Sequence, residues 1–397
     1  MTAQPMAPKL TGDAPDLGTE PIAAEPYYRP EYFERERAAV FRRTWLQIAH
    51  TCELPDAGSF IVRPVEVAKT TVLLTRAKDG MIRAFHNVCS HRGTELVQES
   101  DGRRSSFSCP YHGWNYGNDG RLRSAPDFGN FYVDKAQCSL PTVAVDVCAG
   151  LIFINLDPHP AQTLTEFLGP LAAKLEAFPV ARATRFSEYH YEIEANWKVC
   201  YDNFQENYHL RFIHPRSGAP GAAGPDNPFG YPSEYGFYGP HRTQMISSNP
   251  DFVPSAIQAR TLGRLVVSAL AKGLAPSTEY LATFPNFFIF GSLAQHFSHT
   301  VWPVSATRSR GVVRTYWLDD DTNASERFAR EYAMATTLDI HAEDRMVIES
   351  GQRGLNSGAL KHLHFQANEI LLRHLYLTVD KSIADYEAST PRGKEAM

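Results

Sequence analysis

The chain has 397 residues, 43% hydrophobic and 21% charged, the composition of a folded globular protein with room for two ordinary domains or one large one. Its net charge of −5, from 39 Lys and Arg against 44 Asp and Glu, argues against a nucleic-acid binder with a basic face. No apolar run approaches the ~18 residues of a membrane span, the N-terminus lacks the apolar core of a secretory signal, and the six Cys are too few for a disulfide scaffold. A cytoplasmic, reducing compartment is therefore expected, and paired Cys are read first as metal ligands.

Residues 1–25, rich in Pro, Ala and Asp, read as a flexible arm. In YFERERAAVFRRTW (32–45), Phe33, Val40, Phe41 and Trp45 share one face of a docking helix. Residues 46–156 have the character of a small antiparallel β unit. IVRPVEV, TTVLLTR, MIRAFHNV and GLIFINL read as strands, with turns at Ala77–Gly80 and Asn118–Gly120. Inside this unit lie Cys89-Ser90-His91 and Cys109-Pro110-Tyr111-His112, a C-x-H and a C-x-x-H separated by seventeen residues. Each half is a tight turn that brings a thiolate and an imidazole to one side. Two such turns on neighbouring hairpins suit either a structural zinc or a [2Fe–2S] cluster with both thiolates on one iron and both imidazoles on the other. Cys52, Cys138, Cys148 and Cys200 have no partner spacing and read as free, buried thiols, and His86 reads as a strand residue.

Beyond residue 156 the pattern changes. LTEFLGPLAAKLEAF (164–178) reads as a helical run, and FSEYHYEIEANWK as a strand that leads into NWKVCYDNFQENYHLRFIHP (196–215). The first half of that stretch is helical, with Asn203, Glu206 and His209 spaced i, i+3, i+6. His214 follows His209 by five residues, so a helix end that loosens between them is needed to aim both rings at one ion. Neutral imidazoles suit iron, zinc, copper or nickel, but H-x4-H alone is more often a surface and a core histidine. Residues 215–250, dense in Gly, Pro, Tyr and Phe, are a candidate pocket cover. ATFPNFFIFGS, AQHFSHTVWPVS and GVVRTYWL read as adjacent antiparallel strands. A long helical stretch over 324–355, with a break expected near Ile340, carries Glu343 and Asp344; FQANEILLRHLYLTVDKSIADY reads as the last helix.

The flanks NVCSHRGTEL and FSCPYHGWNYGNDGRL resemble the Rieske domain of the ring-hydroxylating oxygenases, including His91-Arg92-Gly93 and His112-Gly113-Trp114. From about Tyr28 to Tyr386 the chain resembles the catalytic alpha subunit of a Rieske non-haem iron oxygenase of the aromatic ring-hydroxylating family. The resemblance implies an α+β fold: a small antiparallel β Rieske domain (46–156) inserted in a catalytic domain (26–45 and 157–397) with a helix-grip-like antiparallel sheet flanked by helices. It implies a [2Fe–2S] cluster on Cys89, His91, Cys109 and His112, and a mononuclear Fe(II) on His209, His214 and Asp344, a 2-His-1-carboxylate triad with open positions. Glu343 competes for the third place, with Asp339 as an outside alternative. Asn203 and Glu206 match the family motif as catalytic positions. Many members carry Asp where Glu206 stands, and there it bridges an iron ligand to a Rieske histidine of the neighbouring subunit.

That bridge implies a homotrimer, with or without a small beta subunit. The implied reaction is hydroxylation of an aromatic substrate, or of an aromatic acid, with O2. The alternative is monooxygenation or N-demethylation of a quaternary ammonium or betaine-type compound, a substrate class found in the subgroup with Glu at the bridge. The chain has no dinucleotide-binding fingerprint, so electrons are expected indirectly from NAD(P)H through a separate reductase or ferredoxin. Pocket candidates are Phe229, Tyr231, Phe237 and Tyr238 in the cover and Phe287, Phe288, Phe290, Phe297 and Trp302 in the sheet, with Arg211 or Arg242 for an acid group. No nucleic-acid or membrane partner is expected. Outside this class stand a Rieske electron carrier, which needs neither His209 nor His214, and a structural zinc protein.

Overall fold

The computed structural model describes residues 9–274, 278–291 and 295–389. The chain divides into two compact units, Phe41–Phe167 on one hand and Met1–Val40 with Leu168–Met397 on the other. Residues 1–8 of the expected arm lie outside the described residues, but the rest of it is docked rather than loose. β1 (Lys9–Gly12) pairs in parallel with a strand at 234–238, and β2 (Ile22–Ala23) pairs with one at 362–363. Both pairings are made to distant residues, and this short polar segment carries no alternation of its own. α1 (Pro30–Glu36) is shorter than the expected helix and continues as a π-type turn through Phe41.

The Phe41–Phe167 unit is built on β3 (Leu46–His50), β4 (Ser59–Val65), β5 (Thr70–Arg76), β6 (Ile82–His86), β7 (Asp101–Arg103), β8 (Ser106–Ser108), β9 (Asn115–Gly117), β10 (Leu122–Ser124), β11 (Thr142–Cys148) and β12 (Leu151–Asn155). Seven of these strands form one sheet in the order β3-β12-β11-β6-β5-β4-β7, and β10-β9-β8 form a second. A core of Phe60, Phe85, Phe107, Trp114, Tyr116 and Leu140 includes Cys89 and Cys109. His86 sits at the end of β6 with its Nδ1 3.0 Å from the Thr70 hydroxyl, the strand role expected of it. Cys52 is half-buried, whereas Cys138, Cys148 and Cys200 are buried; none is in a disulfide.

The helical run at 164–178 is two pieces, α2 (Leu164–Leu168) and α3 (Leu171–Ala177), because Gly169-Pro170 interrupts it. The larger unit is organised on one eight-stranded sheet, in the order β1-β14-β15-β16-β17-β18-β19-β13. Its other strands are β13 (Arg185–Ile193), β14 (Glu234–Tyr238), β15 (His241–Met245), β16 (Glu279–Thr283), β17 (Phe287–Gly291), β18 (His296–Ser305) and β19 (Arg308–Trp317). The three aromatic segments expected to be neighbouring strands are so paired; residues 292–294 between them lie outside the described residues. Helices α4 (Trp197–Asn203), α5 (Leu210–Ile213), α6 (Ala219–Ala222), α7 (Ala256–Ala271), α8 (Ala324–Asn356) and α9 (Ile370–Ser389) complete the unit, with β20 (His362–Leu363) between the last two. α4 packs on β18, β19 and α8.

α8 is one unbroken helix of 33 residues, not a helix broken near Ile340. Its buried stripe runs Ala329, Ala333, Thr337, His341, Asp344, Ile348, Gln352, Leu355, a spacing of three or four residues that keeps one face on the fold throughout. No described helix is long and apolar enough to cross a membrane.

Candidate metal centres

The two Cys-His turns of the smaller unit are built alike. The Cys89 N–H donates to the Thr94 carbonyl at 2.8 Å and the Gly93 N–H to the Cys89 carbonyl at 2.9 Å; the Cys109 N–H donates to Trp114 at 2.7 Å and Gly113 to Cys109 at 3.0 Å. Gly93 (φ 76°) and Gly113 (φ 70°) both adopt the left-handed conformation that closes such a turn, and this local geometry is what requires glycine there. The His91 and His112 rings lie 4.6 Å apart, and Trp114 stacks on His91 at 4.9 Å. The Nδ1 of each histidine is buried with no hydrogen-bond partner among the described residues. Leaving one such group unmet costs about 1–3 kcal/mol, so a pair of them facing one place points to a bound group. Among the described residues the four do not include three donor atoms within 4.8 Å of one another. A single zinc would need that convergence, whereas a two-iron cluster separates its thiolates from its imidazoles.

Tyr116, fully buried, sets its hydroxyl 3.2 Å from Cys89 Sγ and accepts from the Ser90 N–H at 3.1 Å. A hydroxyl donated to a ligand thiolate stabilises the reduced cluster. Tyr116→Phe is therefore expected to lower the cluster's reduction potential by on the order of tens of millivolts, read by a dye-mediated redox titration; an unchanged potential would show that the hydroxyl does not act on the sulfur.

In the larger unit the ligand stretch folds differently from a helix frayed between its histidines. α4 stops at Asn203, and Phe204 to Tyr208 form a turn. His209 and His214 then flank the single-turn helix α5 as its two caps. Asn203, Glu206 and His209 thus do not share one helix face. The Asn203 amide nitrogen is buried and without a partner among the described residues, and no contact joins it to the two histidines. α5 swings both rings toward α8, with centroids 5.2 Å apart.

Asp344, 2% exposed, meets them there: its Oδ1 lies 2.8 Å from His214 Nε2 and 3.5 Å from His209 Nε2. Ligand atoms of His209, His214 and Asp344 all fall within 4.8 Å of one another, the one such group among the described residues. Each ring is backed on its other nitrogen by a carboxylate. Glu206 holds His209 Nδ1 and accepts from the His209 N–H at 3.2 Å. Glu343 holds His214 Nδ1 at 2.7 Å and also accepts from the Ser217 hydroxyl. Backing of this kind fixes the tautomer and turns Nε2 toward the common point. Glu343 and Asp344 therefore grip opposite nitrogens of one imidazole, and Asp339, further up α8, is exposed. Burial pulls the His214 imidazole down, but Asp344 and Glu343 outweigh it and leave its pKa raised. The donor set, two imidazoles and one carboxylate on the Nε2 side, suits a mononuclear iron with open positions.

Two elements are tied together behind this point. Asn196 caps α4 through its side chain, and its N–H donates to Gln352 of α8 at 2.8 Å. Beside Asp344 lies a ring cluster that motif reasoning did not single out. His299 of β18 and His341 of α8 stack at 5.1 Å, and Phe204 meets both in a T-shaped arrangement at 4.6 and 5.1 Å. Burial pushes both imidazoles down, His341 to about 4, so both are neutral near pH 7.

The other pocket candidates divide. Phe288 touches His299 at 5.2 Å. Phe237 and Tyr238 belong to β14, so that part of the expected cover is sheet. Phe229 and Tyr231 stack on each other at 5.4 Å within the irregular segment. Arg242 is fully buried in β15 and donates to Gln205 at 2.6 Å, while Arg211 is exposed; neither reaches the ligand set.

Comparison with known proteins agrees with this geometry. Residues 44–143 match the Rieske [2Fe-2S] domain, and residues 180–385 the ring hydroxylating alpha subunit (catalytic domain). The carnitine monooxygenase oxygenase subunit of Escherichia coli (strain K12) is 36% identical over 201 residues, 49% of this chain and 52% of that protein, so the chain spans about half the length of that relative. The glycine betaine monooxygenase oxygenase subunit of Pseudomonas aeruginosa (strain UCBPP-PA14) is 27% identical over 371 residues, 84% of this chain and 82% of that one. Among solved structures, a quaternary ammonium Rieske monooxygenase in complex with L-carnitine superposes with a TM-score of 0.72 at 24% identity, over 90% of this chain and 95% of the other. Naphthalene 1,2-dioxygenase from Rhodococcus sp. gives 0.73 at 22% identity, over 94% and 95%. The chain belongs to the ring-hydroxylating alpha-subunit family, and it joins a Rieske [2Fe–2S] domain to that family's catalytic domain.

Proposed function

We propose that this chain is the terminal oxygenase of a multicomponent system and that it hydroxylates a betaine-type quaternary ammonium compound. The observation that carries the oxygenase reading is the convergence of His209, His214 and Asp344 with a carboxylate behind each imidazole. A Rieske electron carrier has no use for such a site. When bound, the [2Fe–2S] cluster supplies single electrons and the mononuclear iron activates O2. The chain's own part is to hold Cys89, His91, Cys109 and His112 in two glycine-closed turns, and to fix both iron-side imidazoles with Nε2 inward.

Of the two substrate classes open from sequence, the relatives favour the quaternary ammonium one, since the carnitine enzyme matches 49% of the chain and the glycine betaine enzyme 84%. The rings of Phe204, Phe288, Tyr189 and Tyr191 gather around His299 and His341, an aromatic surround of the kind that suits a trimethylammonium group. A panel of betaine-type and aromatic compounds, scored by substrate-dependent O2 uptake with a surrogate reductase and by product analysis, tests this. Turnover of a betaine supports the reading, and turnover confined to aromatic compounds overturns it.

The electron donor is a separate reductase or ferredoxin. The assembly is a ring of three in which Glu206 carries His209 on one side and reaches the partner subunit's His112 on the other. Glu206→Gln is expected to lower turnover about 10- to 100-fold with the cluster spectrum unchanged, measured by O2 uptake and absorbance on one preparation. Wild-type turnover in that variant would remove Glu206 from the path.

A further inference from the structure

Behind the iron-side ligands, three strands cooperate to set one hydrogen atom. Tyr191 stands on β13 opposite Gly311 of β19, and Gly311 in turn lies opposite Val301 of β18. A Cβ at position 311 would overlap the Tyr191 ring, so glycine is what lets the ring lie across β19. The hydroxyl thereby reaches past that strand to His299 Nε2, at 2.6 Å. It has no other hydrogen-bond partner among the described residues. If the phenol donates, its proton is satisfied and His299 is fixed as the tautomer that carries its proton on Nδ1.

That Nδ1 is buried without a partner among the described residues, and so is Nδ1 of His341, stacked against it. His341 precedes Asp344 by three positions on α8, so both side chains lie on one helix face. A buried His299 donor with no acceptor among the described residues, stacked on the His341 ring that sits one helical turn from the iron-side carboxylate and flanked by Phe204 and Phe288, is a donor held for something that enters.

We propose that His299, oriented by Tyr191 lying across Gly311, donates its Nδ1–H to an acceptor oxygen of the substrate, the carboxylate of a betaine-type compound, and so selects substrates that carry one. This rests on the reading of the chain as an oxygenase whose substrate lies beside His209, His214 and Asp344. Tyr191 is a positioning residue, and His299 touches the substrate. The arrangement also gives a zwitterion two separate holds, the imidazole for its oxygen and the surrounding aromatic rings for its cationic end.

The test is calorimetric binding to the iron-loaded full-length protein of two matched pairs: glycine betaine against tetramethylammonium, and benzoate against toluene. The wild type is expected to bind the oxygen-bearing member of a pair more tightly. Tyr191→Phe should weaken that member about tenfold while leaving its oxygen-free mate within about twofold. His299→Phe should abolish the preference, and His299→Asn, whose amide nitrogen can stand near the place of Nδ1, should restore part of it. Equal weakening of both members by Tyr191→Phe and His299→Phe would show a structural cluster and overturn the assignment, while the oxygenase and its betaine substrate stand. A response confined to the benzoate pair would keep the assignment and overturn the betaine reading. Binding of none of the four would overturn both.

Discussion

Asp344→Ala is expected to lower turnover by at least roughly a hundredfold and to empty the mononuclear iron site, with the cluster's absorbance and EPR unchanged. Loss of a partner that only backs a ligand typically costs about 10- to 100-fold, and loss of the ligand itself should cost more. The adjacent Glu343 provides the control. It holds His214 on Nδ1, the nitrogen turned away from Asp344. Glu343→Gln keeps an acceptor oxygen for that N–H and should cost about tenfold at most. Iron content and O2 uptake on the two variants decide the matter, since a reversed order would make Glu343 the ligand and Asp344 the support. The comparison is informative because both carboxylates touch the same ring from α8.

The second large effect is on stability. Glu36 of α1 and Lys198 of α4 form an ion pair with side chains 0% and 1% exposed, and Trp197 donates its indole N–H to Glu36 at 3.0 Å. The Lys198 ammonium also lies over the rings of Tyr27, Tyr32 and Trp197. Burial raises the Glu36 pKa and lowers that of Lys198, each against the pull of the other's charge. Glu36→Ala leaves an uncompensated ammonium in the core and is expected to cost about 3–5 kcal/mol. The double variant Glu36→Leu with Lys198→Met should recover most of that loss, because two apolar chains of similar volume remove both desolvation penalties. Urea unfolding followed by tryptophan fluorescence reads both. A double variant as unstable as the single one would show that the charges specify the packing of α1 on α4 rather than compensate each other.

The sequence made the cluster turns legible because everything they need is local. Cys, His and the closing glycine fall within five residues of one another in each turn, and the left-handed φ of Gly93 and Gly113 follows from the same short motif. His209 and His214 were legible in identity but not in geometry. Periodicity carries an apolar helix past Asn203, yet Gln205 turns inward to Arg242 and Glu206 folds back onto His209, and these contacts end α4 early. α8 shows the converse. Its acidic and polar residues near Ile340 resemble a break, but His341 and Asp344 are buried polar positions in a continuous stripe.

Distant pairings left no local signal. β1 reads as polar arm because its partner is β14, more than two hundred residues away, and Phe237 and Tyr238 read as cover because the alternation of β14 is short. The passage of Tyr191 over Gly311 to His299 depends on strand order, β13-β19-β18, which no single segment encodes. In the sequence Glu343 rivals Asp344 for the same reason: only the placement of His214 between them assigns each carboxylate its own nitrogen.

One chain holds a Rieske cluster and a separate mononuclear iron. The most direct measurement is low-temperature EPR of the anaerobically purified, dithionite-reduced protein, with iron and acid-labile sulfide quantified on the same sample. A rhombic [2Fe–2S] signal with an average g below that of all-Cys clusters is expected, with about three irons to two sulfides per chain. A colourless, EPR-silent protein loaded with zinc would contradict it, and so would a Rieske signal with no iron beyond the cluster after reconstitution with Fe(II).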